Sequence, residues 1–224
     1  MSSVDLQALW LTLKLATVST LVLLLIGTPL AVWLTKSRSP LKPVVETFVA
    51  LPLVLPPTVL GFYLLLLLGA QGPVGRWSVH FTGAPLAFSF TGLVIGSVVY
   101  SLPFVVQPLQ HALATSGERF LEAAATLGAG PVDRFFTVSV PLAARGFVVA
   151  ITLGFAHTLG EFGVVLMLGG NIPGVTEVAS VAIYNHVEAL EYGSAHRLSA
   201  VLLGVSFAIL FLVYLGKNRT PWPN

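Results

Sequence analysis

Two ionisable side chains, His157 and Glu161, lie four residues apart in a long apolar stretch. Four residues make about one helical turn, so both are expected on one helix face. Ionisable groups inside a membrane are costly and often mark a transport pathway or gate. The pair could equally make ordinary hydrogen bonds to a neighbouring helix, which would need no transport role. As half of a metal site the pair would need a third ligand, and none is evident in the sequence.

A second candidate for the pathway is the proline-rich stretch that contains Pro52, Pro56 and Pro57. Proline removes a backbone donor and breaks or bends a helix. Broken helices persist within a membrane where they are buried in protein or face a water-filled cavity. Thr58 is therefore a candidate lining residue, together with Pro56 and Pro57. The alternative is a plain kink that neighbouring helices accommodate.

Nucleotide chemistry is not expected of this chain. The phosphate-binding pattern G-x-x-x-x-G-K-[ST] does not occur in it. Gly69, Gly72 and Gly75 recur by threes, but we predict an outer loop there with no helix after it. We expect no catalytic residue, cofactor or metal, so any ATP must be hydrolysed by a separate subunit.

Composition indicates an integral membrane protein. Of 224 residues, 55% are apolar and 9% are charged, whereas soluble domains have about 25% charged residues. The mean hydropathy is +0.90. The net charge of +2 is too small to suggest nucleic-acid binding, and there is no cysteine to form a disulfide.

The apolar stretches predict five membrane spans in a single domain over residues 6–216. About 20 apolar residues are needed to cross a bilayer. The prolines fall in the second of these stretches, and His157 and Glu161 fall in the fourth. The predicted spans are 6–34, 44–68, 87–111, 142–168 and 198–215. We also predict a short interfacial helix within 178–190, in the outer segment before the last span.

Basic residues predict the orientation of these spans, because cytoplasmic loops are enriched in Lys and Arg. If the spans alternate, one side receives eight of the 11 basic residues and the other receives three. The N-terminus is then outside and the C-terminus is cytoplasmic. The cytoplasmic eight are Lys36, Arg38, Lys42, Arg119, Arg134, Arg145, Lys217 and Arg219.

The long loop between the third and fourth spans predicts two short helices. The first covers 117–127, with Ser116 as a possible cap and Glu118 in its first turn. Gly128 and Gly130 then permit a change of direction. A second helix near 132–137 follows, with Pro131 in its first turn. A small helix with two aromatic side chains suits docking into a partner protein, although both rings could instead enter the lipid interface.

This loop resembles the EAA loop of ABC-importer permeases. The matching residues are Glu-Ala-Ala at 122–124, Gly128, and Val-x-Val-Pro at 138–141, where the family usually has Ile-x-Leu-Pro. In that family the loop forms a coupling helix that seats in a cleft of the ATPase subunit. The resemblance assigns this role to Glu122, Ala123, Ala124, Gly128, Pro131, Arg134, Phe135, Phe136 and Pro141.

Three further stretches resemble molybdate-transporter permeases. These are LPLVLPPTVLGFYLLL at 51–66, LGEFGVVLMLGGNIPG at 159–174 and SVAIYNHVE at 180–188. Sulfate permeases resemble the chain less closely, chiefly at residues 160–163. The resemblance implies an all-α, polytopic transmembrane domain of a type I ABC importer in the bacterial or archaeal inner membrane, with molybdate as cargo and sulfate or tungstate as alternatives. In an anion pathway a bare Glu161 would repel the cargo, so we expect it to be paired or turned away.

The resemblance also implies partners. Five spans are too few to enclose a wide cavity, so a second copy of the chain is expected. Two ATPase subunits and an external oxyanion-binding protein complete the expected assembly, within a lipid bilayer and without nucleic acid. One rival is an ion-coupled secondary carrier, which usually shows internal repeats and paired broken helices that we do not find in the sequence. The other is an intramembrane enzyme, for which His157 and Glu161 are the only clustered groups.

Overall fold

The computed structural model describes residues 2–115 and 118–217, and within these ranges the chain is helical with no β-strand. Helix α1 spans Ser3–Lys36. A capping box starts it, because the Ser2 side chain accepts from the Asp5 N–H and the Asp5 carboxylate accepts from the Ser2 N–H. Its 34 residues make a helix of about 51 Å. The first predicted span is confirmed, with room to tilt in a bilayer.

The second predicted span is broken as its prolines indicate. Helix α2 (Lys42–Ala50) continues into a 3-10 turn (Leu51–Leu53), and α3 (Pro57–Leu68) follows at an angle of 113°. Pro56 is extended, with φ −54° and ψ 135°, as expected for a residue before another proline.

Helix α4 (Pro73–Thr82) was not predicted, so the expectation that no helix follows the 69–75 glycines is wrong. Pro73 occupies the first turn of α4, where a backbone N–H has no acceptor within the helix, so the N–H that proline lacks is not missed. These glycines do not form an anion cradle. A side chain at Gly75 would overlap the backbone carbonyl of Gly69, and one at Gly72 would overlap that of Leu66. Carbonyl oxygens already fill the space that a phosphate would need.

Helix α5 (Phe90–Thr115) is the central element of the chain. Val105, Val106 and Leu109 are fully buried against Leu23 and Leu34 of α1, in a cluster that also includes α2 and α9. At other positions along its length, α5 packs against α3 and α10. At Gly96 an added side chain would meet Val164 and Leu168 of the same chain. This glycine therefore serves packing within the subunit.

The segment between the third and fourth spans contains more helix than predicted. Helix α6 (Glu118–Thr126) confirms the first short helix, although Ser116 and Gly117, the predicted cap and first residue, lie outside the described ranges. Helix α7 (Pro131–Arg134) then runs through a π-helical turn (Phe135–Ser139) into α8 (Val140–Leu142). A 76° bend at Ala143 separates this unit from α9 (Ala144–Leu159), so Pro141 precedes the bend rather than starting the span.

The fourth span is not the continuous helix that was predicted over 142–168. Helix α9 ends at Leu159, residues 160–162 are non-helical, and α10 covers Gly163–Gly169. The chain therefore has two broken spans, and the statement that paired broken helices are lacking is wrong. No proline marks this break in the sequence, and a hydropathy window averages over a gap of three residues.

The last two helices pack against each other and against the rest of the helical core. Helix α11 (Ala179–Glu188) confirms the predicted short helix, but its apolar side packs into the protein, with Val181 and Ala182 buried. Helix α12 (Tyr192–Lys217) packs against α11 and, over a smaller area, α9. Its mid-section leaves Leu203, Phe207 and Leu212 exposed. The Lys217 side chain and Arg219 lie outside the described part.

Among the described helices, α1, α5 and α12 are each long and apolar enough to cross a bilayer. Two bent helix pairs raise the number to five if each pair counts as one span: α2 with α3, and the α7–α8 unit with α9. The predicted count of five is therefore the upper limit, and the second pair differs in its bounds from the fourth span predicted over 142–168.

Candidate functional site

Gly128 ends helix α6 with a Schellman motif. Its N–H donates to the Ala125 carbonyl at 3.0 Å, and the Ala129 N–H donates to the Ala124 carbonyl at 3.0 Å. The motif requires a left-handed residue, and Gly128 has φ +86°. Gly130 has φ −70° and serves as the residue before α7. Of the two predicted direction-changing glycines, only Gly128 uses the conformational freedom of glycine.

Phe135 and Phe136 face different environments. Their rings pack edge to face with centroids 5.1 Å apart. The ring of Phe135 lines a groove beside α1, whereas Phe136 is 64% exposed. The sequence could not separate them, because neighbouring residues on an irregular turn carry no periodic signal.

This segment, which we call the docking segment (residues 118–142), has five exposed large apolar side chains. They are Phe120, Leu127, Val132, Phe136 and Leu142. Sequence analysis named Phe136 as an anchor and missed the other four. Several exposed large apolar side chains on one short segment are typical of an interaction site or a membrane contact.

The other residues assigned to this segment divide between surface and contact positions. Glu122 and Ala123 are exposed, as are Pro131 and Pro141, whereas Ala124 is half-buried. Arg134 is half-buried too, and its Nε–H is buried without a hydrogen-bond acceptor among the described residues. Most of these motif residues therefore lie on the surface of the segment, while Ala124 and Arg134 lie partly within it.

The two broken spans meet each other where α3 and α10 begin. An added Cβ at Gly163 would lie 2.7 Å from the Pro57 Cβ, and one at Gly61 would lie 3.1 Å from the Val164 Cα. Only glycine allows backbones this close. Pro56 and Thr58 are exposed at this junction, while Pro57 is half-buried.

His157 hydrogen-bonds across to α5. Its Nδ1 and the Ser101 Oγ are 2.9 Å apart, and the Ser101 Oγ lies 3.1 Å from the Thr158 Oγ1. The imidazole stacks on Phe104 with centroids 3.9 Å apart and lies beside Tyr100. These contacts match the interhelical hydrogen-bond alternative stated for this residue.

Glu161 lies in the break after α9, so the expectation that it shares a helix face with His157 is wrong. Its carboxylate is buried, with 5% of the residue exposed, and neither oxygen has a hydrogen-bond partner among the described residues. The expected pairing is therefore not met within one chain. The Ser97 hydroxyl on α5 is also buried, and it is close enough to interact with the Glu161 carboxylate. The backbone of the break is held by Ser180, whose hydroxyl donates to the Glu161 carbonyl at 2.6 Å.

A polar cluster at the opposite end of the molecule from the docking segment was missed by sequence analysis. The Nε2 of His186 lies 2.9 Å from the Asp5 Oδ1, and its Nδ1 lies 3.0 Å from the Glu191 Oε2. The hydrogen bond to Asp5 raises the pKa of His186, and the bond to Glu191 adds to it. Nearby, the Asn185 amide donates to Asn171 and to Glu177. No signal in the sequence pairs α1 with α11.

In the described ranges, no group of three or more His, Cys, Asp and Glu side chains could hold a metal ion. The site instead combines an exposed apolar docking segment with two broken spans that meet inside the helical core. The fold and this site define a polytopic membrane transport subunit.

Comparisons with known proteins agree. The family model for the inner membrane component of binding-protein-dependent transport systems matches residues 24–217. The molybdenum transport system permease protein ModB of Azotobacter vinelandii is 57% identical over 97% of this chain and 96% of its own length. ModB of Escherichia coli K12 is 34% identical over 92% and 90%.

The fold recurs in a solved transporter. A chain in the crystal structure of a bacterial ABC transporter involved in the import of alginate superimposes with a TM-score of 0.82, at 18% identity, over 99% of this chain and 82% of its own. The chain thus belongs to the family of binding-protein-dependent transport system inner membrane components.

Proposed function

We propose that the chain is the permease subunit of an ATP-driven importer that carries molybdate across the cytoplasmic membrane. The observation that carries this proposal is the 57% identity to a molybdenum permease over nearly the full length of both proteins. Sequence similarity that spans every helix favours a shared cargo as well as a shared fold.

The docking segment is the proposed contact with the ATPase subunit. It presents apolar surface beside the charged Glu122 and Asp133. The exposed apolar side chains are Phe120, Leu127, Val132, Phe136 and Leu142. Aromatic and aliphatic anchors that fill a partner's pocket dominate the affinity of most protein interfaces. ATP-driven movement of the ATPases would pull on α7 and α8, and the bend at Ala143 would transmit that movement to α9.

Alternating access is the proposed mechanism, and the junction of the two broken spans is the proposed gate. Pro56, Pro57 and Thr58 supply one side of it. His157 and Glu161 supply the other. Because α3 and α10 meet through Gly61 and Gly163, a small rotation of either helix would change the width of the junction. Glu161 would repel an anion if it faced the pathway, so its role is to hold the closed state.

Two copies of the chain, two ATPase subunits and an external oxyanion-binding protein form the proposed assembly. The exposed apolar surface of α12 and of the outer half of α1 is available for lipid or a second copy. Native mass spectrometry of the purified complex tests this composition, with two copies of the chain expected per two ATPase subunits. A single copy would contradict the proposed pair.

Uptake into vesicles tests the cargo. Complexes reconstituted with binding protein and internal ATP should accumulate labelled molybdate. Excess unlabelled sulfate should compete less well than unlabelled molybdate. Unlabelled tungstate is tested as a third competitor, because it is an oxyanion of similar shape. Uptake that persists without ATP but with an ion gradient would instead indicate a secondary carrier. Uptake blocked equally by sulfate would overturn the assignment of molybdate as the preferred cargo.

Cross-linking tests the docking segment. The chain has no native cysteine, so Phe136→Cys can be paired with cysteines on the ATPase surface without background. Phe135→Cys is the matched control, because Phe135 is the neighbouring residue and its ring faces the groove beside α1. A cross-link at position 136 and a much weaker one at 135 are expected. If neither position captured the ATPase, the proposed contact would be wrong.

A further inference from the structure

A groove of about 590 Å³ separates the last turns of α1 from the docking segment. This volume lies in the range of pockets that hold small molecules. Six of its lining residues come from α1 and the residue that follows it, and one comes from the π-helical turn. They are Thr28, Pro29, Val32, Trp33, Lys36, Ser37 and Phe135.

The groove is apolar along most of its length and polar at one end. Pro29, Val32 and Phe135 form an apolar wall. Lys36 and Ser37 lie where α1 ends. In the described part of the chain, the Lys36 ammonium has no hydrogen-bond or ion-pair partner and is exposed. The Ser37 Oγ accepts from the Ser39 N–H at 3.1 Å, so its own hydrogen is free to donate.

Trp33 places this polar end at the edge of the membrane. Tryptophan is enriched at membrane–water interfaces, where its ring meets lipid and its N–H meets water. Arg38 follows two residues after Lys36 and is also exposed. A groove with an apolar wall and a cationic end at the interface matches the two parts of an anionic phospholipid, which has acyl chains and a phosphate.

We propose that this groove binds one anionic phospholipid, whose phosphate lies at Lys36 and Ser37 and whose acyl chain runs along Pro29, Val32 and Phe135. The inference rests on the proposed function in one respect, since the proposed orientation puts the groove in the inner leaflet. The lipid would contact the docking segment through Phe135 and so would sit between α1 and the element that moves.

Tryptophan quenching by brominated lipid tests this site in the reconstituted complex. Trp33 is made the only tryptophan of this chain by replacing Trp10, Trp77 and Trp222 with Phe, and the partner subunits are made tryptophan-free. Brominated phosphatidylglycerol and brominated phosphatidylcholine are then compared as minor components of one host bilayer. A second chain that retains Trp77 alone is the control reporter, because α4 lies away from the groove.

The site predicts that phosphatidylglycerol binds near Trp33 about fivefold more tightly than phosphatidylcholine, since one surface lysine attracts an anionic lipid by about that factor. Lys36→Gln should remove this preference. Arg38→Gln should leave most of it, because Arg38 does not line the groove. The Trp77 reporter should show no preference.

Three results would overturn the proposal. Equal quenching of Trp33 by both lipids would mean that the groove faces lipid without selecting a headgroup. Absence of quenching by either lipid would mean that another protein surface covers the groove. A preference that Lys36→Gln leaves intact would assign the phosphate to other residues. Molybdate uptake is measured separately, so failure of the lipid site and failure of the proposed function are distinguishable.

Discussion

Both ring nitrogens of His186 face carboxylate oxygens, Asp5 on one side and Glu191 on the other. A neutral imidazole has one N–H and can donate to one of them. The imidazolium form donates to both. This explains why the pKa of His186 lies above its ordinary value of 6.5, with the Asp5 hydrogen bond as the largest cause.

The raised pKa predicts the direction of a pH effect on stability. A group with a raised folded-state pKa stabilises the fold fully below its unfolded value, and this contribution is lost as pH rises through the folded value. We therefore expect His186→Gln to lower the melting temperature at about pH 6 and to have little effect at about pH 9. The partly exposed pair is worth about 1 kcal/mol, which corresponds to about 2–4 °C for a chain of this size.

Thermal unfolding in detergent across this pH range measures the effect. His196→Gln is the matched control, because His196 is exposed on α12 and makes no hydrogen bond or ion pair among the described residues, so the substitution should leave the melting temperature unchanged. A deficit in His186→Gln that grew with rising pH would contradict the assignment of a stabilising cation.

At the same scale, the pair His157 and Glu161 shows what spacing alone can and cannot predict. The interhelical hydrogen bond stated as an alternative for this pair is present for His157, whose Nδ1 lies 2.9 Å from the Ser101 Oγ of α5, but not for the Glu161 carboxylate. The prediction that the two residues share a helix face was wrong, because α9 ends at Leu159. The four-residue rule holds only while the helix continues.

Among the elements, α6 depends on Gly128 for its termination. A non-glycine residue in the left-handed conformation costs about 1–2 kcal/mol. We expect Gly128→Ala to reduce molybdate uptake severalfold with little change in the amount of chain in the membrane, since the strain would shift the docking segment relative to α9. Uptake assays on matched protein amounts measure this.

Gly130→Ala provides the comparison for that prediction. Gly130 has φ −70° and nothing lies within 4 Å of an added Cβ, so uptake should be unchanged. Equal loss of uptake in both variants would mean that small size, and not the left-handed backbone, matters in this segment.

The junction of α3 and α10 makes a separate prediction. An added methyl at Gly61 would lie 2.8 Å from the Met167 Cβ and 3.1 Å from the Val164 Cα. Overpacking of this kind costs about 1–3 kcal/mol. We expect Gly61→Ala to lower the melting temperature and to reduce uptake, because the helices must separate.

Gly204→Ala in α12 is the matched control for Gly61→Ala. Nothing in the described chain lies within 4 Å of an added Cβ there, so stability should be unchanged or should rise by up to about 1 kcal/mol. A Gly61→Ala variant as stable and as active as the unmodified chain would show that the α3–α10 junction yields without cost.

The two breaks differ in how far the sequence reveals them. Proline at 52, 56 and 57 has a fixed φ and lacks an N–H, so the break in the second span could be predicted and is confirmed. The break at 160–162 depends on the tertiary contact between Gly163 and Pro57 and on the Ser180 hydrogen bond. Contacts between distant segments have no local signature, and a hydropathy window averages over a three-residue gap.

At the scale of the whole molecule, the helices differ in how much of their surface is buried against other helices. Helix α5 is packed on several sides and its core positions are fully buried, whereas 6% of the apolar window of α12 is buried. The long apolar helices α1, α5 and α12 could be predicted from composition, because a bilayer demands long apolar segments, whereas the short helices between them mostly could not. The packing of the helices could not be predicted either, since lipid and protein both satisfy an apolar side chain and the sequence cannot distinguish them.

Orientation in the membrane is a property of the whole chain, and it follows from charge. Eight basic residues on one side and three on the other predict that the loop after α1 is cytoplasmic. Because the chain has no cysteine, single cysteines report sidedness cleanly. A membrane-impermeant maleimide should label Gln71→Cys, in the exposed turn between α3 and α4, on intact spheroplasts. The same reagent should label Arg38→Cys only after the membrane is permeabilised.

Both positions are exposed in short connections outside the docking segment, so a bound ATPase would not explain a lack of labelling by itself. If Arg38→Cys and not Gln71→Cys were labelled on intact spheroplasts, the orientation would be the reverse of the predicted one. The docking segment would then face outward, where no nucleotide-hydrolysing subunit could reach it. The proposed coupling role of the docking segment would then be wrong, whereas the fold and the family membership would be unaffected.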